Sequence, residues 1–239
     1  NTTGNTTLLV SHAIGNAAAS GDGASENPAI DAIGVAVAFE SDATDLIGAD
    51  LNALRDVFHA RIDSGSPFTK VRSSVSDNGA EATGGASSNA SIQVVGARAL
   101  VAFQSDATNL APALTAATNV FLFDSSNGSG ATTLLNQRVS PTGNAIGNGN
   151  ADSPQITPDA SRVVFASAAN NIDVVRGTDI NYASDLFLVE VAQLAANQVE
   201  LVAKEVRPVV QRKLRRQIQH PLQRRVGRIG VLADIGFQS

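Results

Sequence analysis

The sequence predicts an all-β protein built from tandem repeats, and three observations carry that reading. A five-residue motif occurs three times, as Val37-Ala-Phe-Glu-Ser41, Val101-Ala-Phe-Gln-Ser105 and Val163-Val-Phe-Ala-Ser167, with Phe39, Phe103 and Phe165 spaced 64 and 62 residues apart. A second motif follows each copy: Asp56-Val-Phe58, Asn119-Val-Phe121 and Asp185-Leu-Phe187. A third falls between copies: Leu9-Val-Ser11, Ser74-Val-Ser76 and Arg138-Val-Ser140. Repeats of this period mean stacked units, each too small to bury its own apolar face.

The elements follow in chain order. Thr6-Thr-Leu-Leu-Val10 reads as an orphan N-terminal strand, matching the last strand of a preceding unit. The second copy shows the unit most clearly. Ala90–Val94 is a short β-like run, and Val95-Gly96 is a turn signal. Arg98–Gln104 places Leu100 and Ala102 on one face and Val101 and Phe103 on the other, so the strand is expected to be buried on both faces. After a loop come Asn119–Asp124, a turn at 125–128, and a last strand from Ala131 to Leu135. Four short strands, each joined to its sequence neighbour, make an antiparallel meander, the blade of a β-propeller. The units are expected at 28–76, 90–140 and 154–203. Residues 1–190 show no helical periodicity of useful length, which argues against helical and leucine-rich solenoids.

Across the copies the pattern reads Pro-x-Ile, turn, Val-Ala-Phe-x-Ser-x-Ala-Thr-Asn-Leu, loop, Asp-Val-Phe, Gly turn, Val-Ser. It includes Pro28-Ala-Ile30 with Ser41–Leu46, and Pro154-Gln-Ile156 with Ser167–Ile172. Over residues 6–203 this resembles the TolB-like, WD40-like propeller repeats of exported bacterial proteins. In that family the turn usually reads Ser-Pro-Asp-Gly; Thr157-Pro-Asp-Ala160 comes close, while Asp31–Gly34 and Val94–Ala97 depart from it. The resemblance implies a partial β-propeller of three four-stranded antiparallel blades, and a periplasmic, secreted or cell-surface setting. It implies no activity, because propellers host many.

Composition narrows the function classes. The 239 residues include no Cys, which excludes disulfides, thiolate nucleophiles and thiolate metal sites. The absence of Met marks the sequence as a processed or excised piece of a longer product. No apolar run approaches the roughly 18 residues of a membrane span, and no signal peptide is visible. Charge is divided: residues 1–203 carry 8 basic and 20 acidic residues, net −12, and residues 204–239 carry 9 and 2, net +7. That break sets a boundary between the repeats and a basic tail. In the tail Val210, Leu214 and Ile218 recur every four residues, with Arg212, Lys213, Arg215 and Arg216 on the other faces. Pro208 and Pro221 bracket the run, so a helix is expected over 208–219. Its basic face suits the acidic body, an anionic membrane or an acidic partner, and the lack of interleaved aromatics and of any nucleic-acid motif argues against nucleic acid. The closing Gly236-Phe-Gln-Ser239 faintly echoes Ala102–Ser105, which leaves a truncated fourth unit as an open alternative.

One loop carries candidate metal ligands: Asp50, Asn52 and Asp56 in the first copy, and Asp179, Asn181 and Asp185 in the third. Carboxylate and amide oxygens at alternate positions suit a hard cation such as Ca2+. The competing reading is that these side chains cap turns and open the next strand. His12, His59 and His220 do not repeat, and no nucleophile elbow, zinc pair or phosphate loop occurs. The expectation is a non-enzymatic binding or scaffold module acting through loops at one end of the blades, with a protein or cell-envelope partner. An open three-blade arc leaves unpaired edges and apolar faces, so either self-association or further blades in a longer parent protein is expected. The alternative is a propeller fragment of a hydrolase- or lyase-type enzyme. Titratable side chains from different blades meeting in one axial pocket would favour that alternative.

Overall fold

The computed structural model describes residues 7–48, 50–114, 116–127, 131–138, 144–172 and 183–191. The chain divides into two compact units, Asn1–Val202 and Ala203–Ser239, and all described residues lie in the first. The expected basic helix, with Arg212, Lys213, Arg215 and Arg216, lies outside them, as do the expected closing strand of the third unit and the fourth-unit echo.

The described residues are all-β, with almost no helix and several antiparallel sheets, and among them no sheet closes into a barrel. A small hairpin comes first, β1 (His12–Ala13) with β2 (Asn16–Ser20). The first four-stranded sheet is β3 (Ser25–Ile30), β4 (Ala36–Ser41), β5 (Asp56–Arg61) and β6 (Lys70–Arg72). The second is β7 (Ser87–Val95), β8 (Arg98–Ser105), β9 (Asn119–Asp124) and β10 (Ala131–Leu134), with a single 3-10 turn at Ser125–Asn127. Another small hairpin follows, β11 (Gln137–Arg138) with β12 (Ala145–Ile146). The third sheet is β13 (Ala151–Ile156), β14 (Arg162–Ser167) and β15 (Asp185–Glu190). In all three sheets the strands pair antiparallel in sequence order.

The repeat is geometric as well as textual. Phe39 pairs with Phe58, Phe103 with Phe121 and Phe165 with Phe187 across each central strand pair. Their rings stack with centroids 5.9, 5.7 and 5.9 Å apart and planes inclined by 23°, 24° and 24°, the offset arrangement that the ring quadrupole favours. The two faces of β8 do separate as expected. Leu100 and Ala102 pack with the third sheet, around Ile156, Val163 and Phe165. Val101 and Phe103 pack with the first, around Ala36, Ala38 and Val57. Each sheet therefore presents an incoming face to the unit before it and an outgoing face to the unit after it. The central sheet is apolar on both because both are covered.

Two readings of element ends change. The first strands begin at Ser25, Ser87 and Ala151, three residues ahead of the expected 28, 90 and 154. The extra residues are polar apart from the buried Ala151, but pair through a bulge. Asn27, Asn89 and Ser153 sit there at φ of 50°, 52° and 54°, a conformation Asn tolerates better than most residues. The expected strand over 6–10 is also revised, because its described part, 7–10, is not in a strand. Leu8 and Leu9 remain exposed, while Val10 packs on the cluster around Phe39, Leu46 and Phe58.

Candidate functional site

The long loops that follow β4, β8 and β14 share one anchoring device. The Ser that closes the motif, Ser41, Ser105 or Ser167, accepts a hydrogen bond through Oγ from the backbone N–H two residues on, at Ala43, Ala107 and Ala169, 3.1 Å each time. This local turn swings the chain out of the sheet. The alanine is buried, and so is the apolar residue three further on, Leu46, Leu110 or Ile172. Gly23, Gly85 and Gly149 lie against the same turn. A Cβ on any of them would fall 2.5 Å from backbone atoms of Asp42, Asp106 or Ala168. Only glycine permits that approach.

On this frame the first unit carries two charged networks. Arg55 clamps Asp42 with two hydrogen bonds, Nε to Oδ1 at 2.8 Å and Nη2 to Oδ2 at 2.7 Å, and donates through Nη1 to Glu26 at 3.0 Å. These bonds hold the Asp42 carboxyl below its ordinary range, chiefly through the hydrogen bond from Arg55. The second network is buried. Arg72 on β6 reaches Asp50 Oδ1 at 3.0 Å, Asp56 Oδ2 at 3.3 Å and Glu81 Oε1 at 2.6 Å. The contact with Asp50 is one of charge rather than an aligned hydrogen bond. Asn52 donates to Asp56 Oδ2 at 3.0 Å, and Ser74 donates to Asp56 Oδ1 at 2.5 Å. Burial pushes the Asp56 carboxyl above its ordinary value, and the bonds from Ser74, Asn52 and Arg72 oppose the shift. Asp50 moves the same way, from burial and from the neighbouring Asp56 charge.

The candidate cation ligands of the first copy, Asp50, Asn52 and Asp56, are thus brought together, and the cation among them is a guanidinium of the chain itself. Of the third-copy set only Asp185 is described, and it opens β15; Asp179 and Asn181 lie outside the described residues. Among the described residues no group of three or more His, Asp and Glu is arranged to hold a metal ion. The second unit shows the turn-capping role without charge: Asn136 donates to Asn119 Oδ1 at 3.0 Å and accepts from the Val120 N–H at 3.0 Å. Ser74 does the equivalent work in the first unit, accepting from the Val57 N–H at 3.1 Å.

The described histidines are kept apart. His59 on β5 is buried between the first and second sheets, its ring 5.5 Å from that of Phe123 and Nδ1 2.9 Å from Ser73 Oγ. Burial lowers its pKa to about 4. His12 lies in the N-terminal hairpin, where its carbonyl accepts from Lys70 Nζ at 2.7 Å. Both residues border a cavity of about 340 Å³ walled by Ile14, Leu46, Ile47 and Phe68. Burial lowers the Lys70 pKa, against the opposing charge of Asp45. His220 lies outside the described residues.

Sequence reasoning passed over Arg55, Arg72, Glu81 and Lys70, none of which belongs to the repeated motif. The one available signal was the excess of carboxylates in the first copy, which needs an internal countercharge. No protein-family model matches this chain, and no curated protein matches it.

Proposed function

We propose that this chain is a propeller-type repeat module with a binding or scaffold role, part of an exported bacterial protein, and that it engages a protein or cell-envelope partner through the long loops after β4, β8 and β14. One observation carries the reading. Polar side chains that cross from one sheet to the next are spent on holding backbone. Glu40 accepts from the Asn89 N–H at 2.7 Å, Gln104 from the Ser153 N–H at 3.2 Å, and Ser91 Oγ from the Ile156 N–H at 3.0 Å. A catalytic centre between units needs titratable groups aimed at a shared space. The loops, by contrast, stand on a repeated rigid turn and put apolar side chains into solvent, with Leu51 86% exposed. Rigid anchoring beneath a variable tip is how β scaffolds present binding residues.

The test is saturable binding of the labelled chain to isolated bacterial envelope fractions. Replacing the exposed loop residues Leu51, Pro112 and Ala113 with Gly or Ser, which leaves the buried Asp50 and the half-buried Asn52 in place, is expected to abolish it. Replacing Ile33 and Val95, exposed in or beside the turns at the other end of the sheets, is expected to leave it intact. Binding that depends on those turns, or turnover of ester, glycoside or uronate substrates by the unmodified chain, contradicts the reading.

A further inference from the structure

Asn-Gly pairs stand at 78, 127 and 148. In such a pair the glycine nitrogen can attack the asparagine side-chain carbonyl, because glycine has no side chain to screen it and reaches the backbone rotations that ring closure needs. Gly128 lies outside the described residues, so two pairs can be compared. Asn78 and Asn148 are both exposed, and exposure does not separate them. Their hydrogen bonds do. Asn148 is tied across to a neighbouring loop: Nδ2 donates to Asn170 Oδ1 at 2.8 Å, and Oδ1 accepts from the Asn170 N–H at 3.0 Å. Its glycine is the packed Gly149 of the repeated turn, where a Cβ would fall 2.5 Å from the Ala168 backbone. Asn78 lies outside the repeated motifs, in the turn 76–80 between the first and second sheets. Its Oδ1 accepts from Ser76 Oγ at 2.6 Å and from the Ala80 N–H at 3.1 Å, which draws the side-chain carbonyl toward the Gly79–Ala80 peptide. Gly79 sits at φ of 80°. Among the described residues no hydrogen bond holds Asn78 Nδ2.

We propose that Asn78-Gly79 is a self-modifying site, converted to aspartate and isoaspartate with water as its only co-reactant, while Asn148-Gly149 keeps its asparagine. The Gly79 nitrogen gives its proton to a solvent base and bonds to Asn78 Cγ. The Cγ–Nδ2 bond breaks, and that nitrogen departs as ammonia, leaving a cyclic succinimide. Water then opens the ring. Addition at Cγ gives aspartate, and addition at the main-chain carbonyl gives isoaspartate, whose backbone is one methylene longer. The two donors on Oδ1 stay in place while that oxygen gains negative charge, the arrangement that stabilises an oxyanion. The bond that opens is the one from the Gly79 N–H to the Ser76 carbonyl, 2.9 Å, in a turn exposed from 77 to 80. At Asn148 both bonds to Asn170 must break and the packed Gly149 backbone must shift. One more hydrogen bond to break, together with that packing, makes Asn148 about tenfold slower. The conversion also reaches beyond its own turn. The turn closes the bridge between Val75 and Glu81, and Glu81 Oε1 accepts from Arg72 Nη2 at 2.6 Å and from the Leu51 N–H at 2.9 Å. A longer backbone at 78 displaces Glu81, and the Leu51 amide loses its tie. The chemistry is the same whatever the long loops bind.

The experiment is tryptic peptide mapping of the full chain after storage in mildly alkaline buffer, once folded and once in urea. Cleavage after Arg72, Arg98, Arg138 and Arg162 puts Asn78 and Asn148 on separate peptides. Mass spectrometry, with enzymatic methylation of isoaspartate, measures the acid formed in each. In the folded chain Asn78 is expected to convert about tenfold faster than Asn148, and urea is expected to bring the two rates together. A folded chain in which Asn148 keeps pace with Asn78, or in which Asn78 stays as it was, overturns the proposal. Ser76→Ala removes one donor from the oxyanion and is expected to slow conversion at Asn78 about tenfold. Ser76→Thr keeps the hydroxyl and the rate, which separates the donor from a loss of the turn. A Ser76→Ala chain that converts as fast as the wild type, or faster, overturns the proposal, because the pair then reacts only where the turn is loose. Hydrogen exchange at the Leu51 amide is expected to rise in step with isoaspartate. A Leu51 amide that stays protected as isoaspartate accumulates contradicts the coupling through Glu81.

Discussion

The Glu40 carboxylate on β4 accepts a 2.7 Å hydrogen bond from the backbone N–H of Asn89 on β7, in the next sheet. The bulge at Asn89 turns that N–H out of its own ladder, and the variable residue of the Val-Ala-Phe-x-Ser motif in the preceding unit reaches across to receive it. Gln104 repeats the arrangement at Ser153. A position that varies in the text thus helps to lock neighbouring units in register. The fixed Phe and Ser on either side of it stack on the neighbouring strand and cap the following turn.

Removing this lock has a direct cost. Glu40 is almost fully buried, and it also accepts from Asn27 Nδ2 at 3.0 Å. Glu40→Ala leaves the part-buried Asn89 N–H without its partner, so a loss of about 1 kcal/mol is expected in urea unfolding. Glu40→Gln keeps an acceptor and is expected to lose less than half as much. Equal losses for the two variants would show that charge, not backbone capping, is what Glu40 contributes.

Gly85→Ala puts a Cβ 2.5 Å from the Asp106 carbonyl group. The neighbour is backbone, so it cannot step aside as a flexible side chain would. Overpacking of this kind costs about 1–3 kcal/mol. Gly23→Ala and Gly149→Ala are expected to fall in the same range, read as unfolding midpoints. A neutral outcome at all three would contradict the shared turn.

Arg72→Met strips the countercharge from Asp50 and Asp56, both buried. A loss of about 3–5 kcal/mol is expected near neutral pH. Both carboxyls are already pushed up by burial. A raised carboxylate weakens the fold above its folded pKa and ceases to do so once protonated. The deficit of the variant therefore shrinks as pH falls from neutrality toward the ordinary carboxylate range. A calorimetric Ca2+ titration of the native chain is expected to give no saturable heat from this loop, since Arg72 stands among its carboxylates; a saturable response lost in Asp50→Asn would show a cation displacing the guanidinium.

His59 sets the acid side of stability. Its pKa is about 4 in the folded chain against 6.5 for the free side chain. The unfolded chain therefore takes up a proton that the folded chain refuses. The contribution is complete above pH 6.5, falls away as pH drops from 6.5 to about 4, and is constant below that. The span is about 3 kcal/mol at most. His59→Gln is expected to flatten the pH dependence in that window, whatever its effect on absolute stability. An unchanged slope would place the ring in water.

The central strands were legible because their pattern is dense. Phe39, Phe103 and Phe165 mark a strand apolar on both sides, which in a repeat means a neighbour on both sides. The start of the first strands was not legible. Ser25-Glu-Asn-Pro28 reads as turn chemistry, and only a bulge with Asn27 in a left-handed conformation lets it pair. The ligand-like spacing of Asp50, Asn52 and Asp56 was visible, but its meaning lay in Arg72, brought in from a strand further along the chain. Distant countercharges leave no local trace, whereas a turn-capping Ser followed two residues later by a buried Ala does.

The central claim is that three stretches of this chain are one unit repeated and stacked face to face. Proton NOE spectra of a sample with labelled phenylalanine and histidine rings test it most directly. The account predicts ring-to-ring contacts within Phe39–Phe58, Phe103–Phe121 and Phe165–Phe187, with His59 meeting Phe123 across the boundary between the first and second sheets. Contacts that link these rings in any other pairing, or a Phe123 that never meets His59, would contradict it.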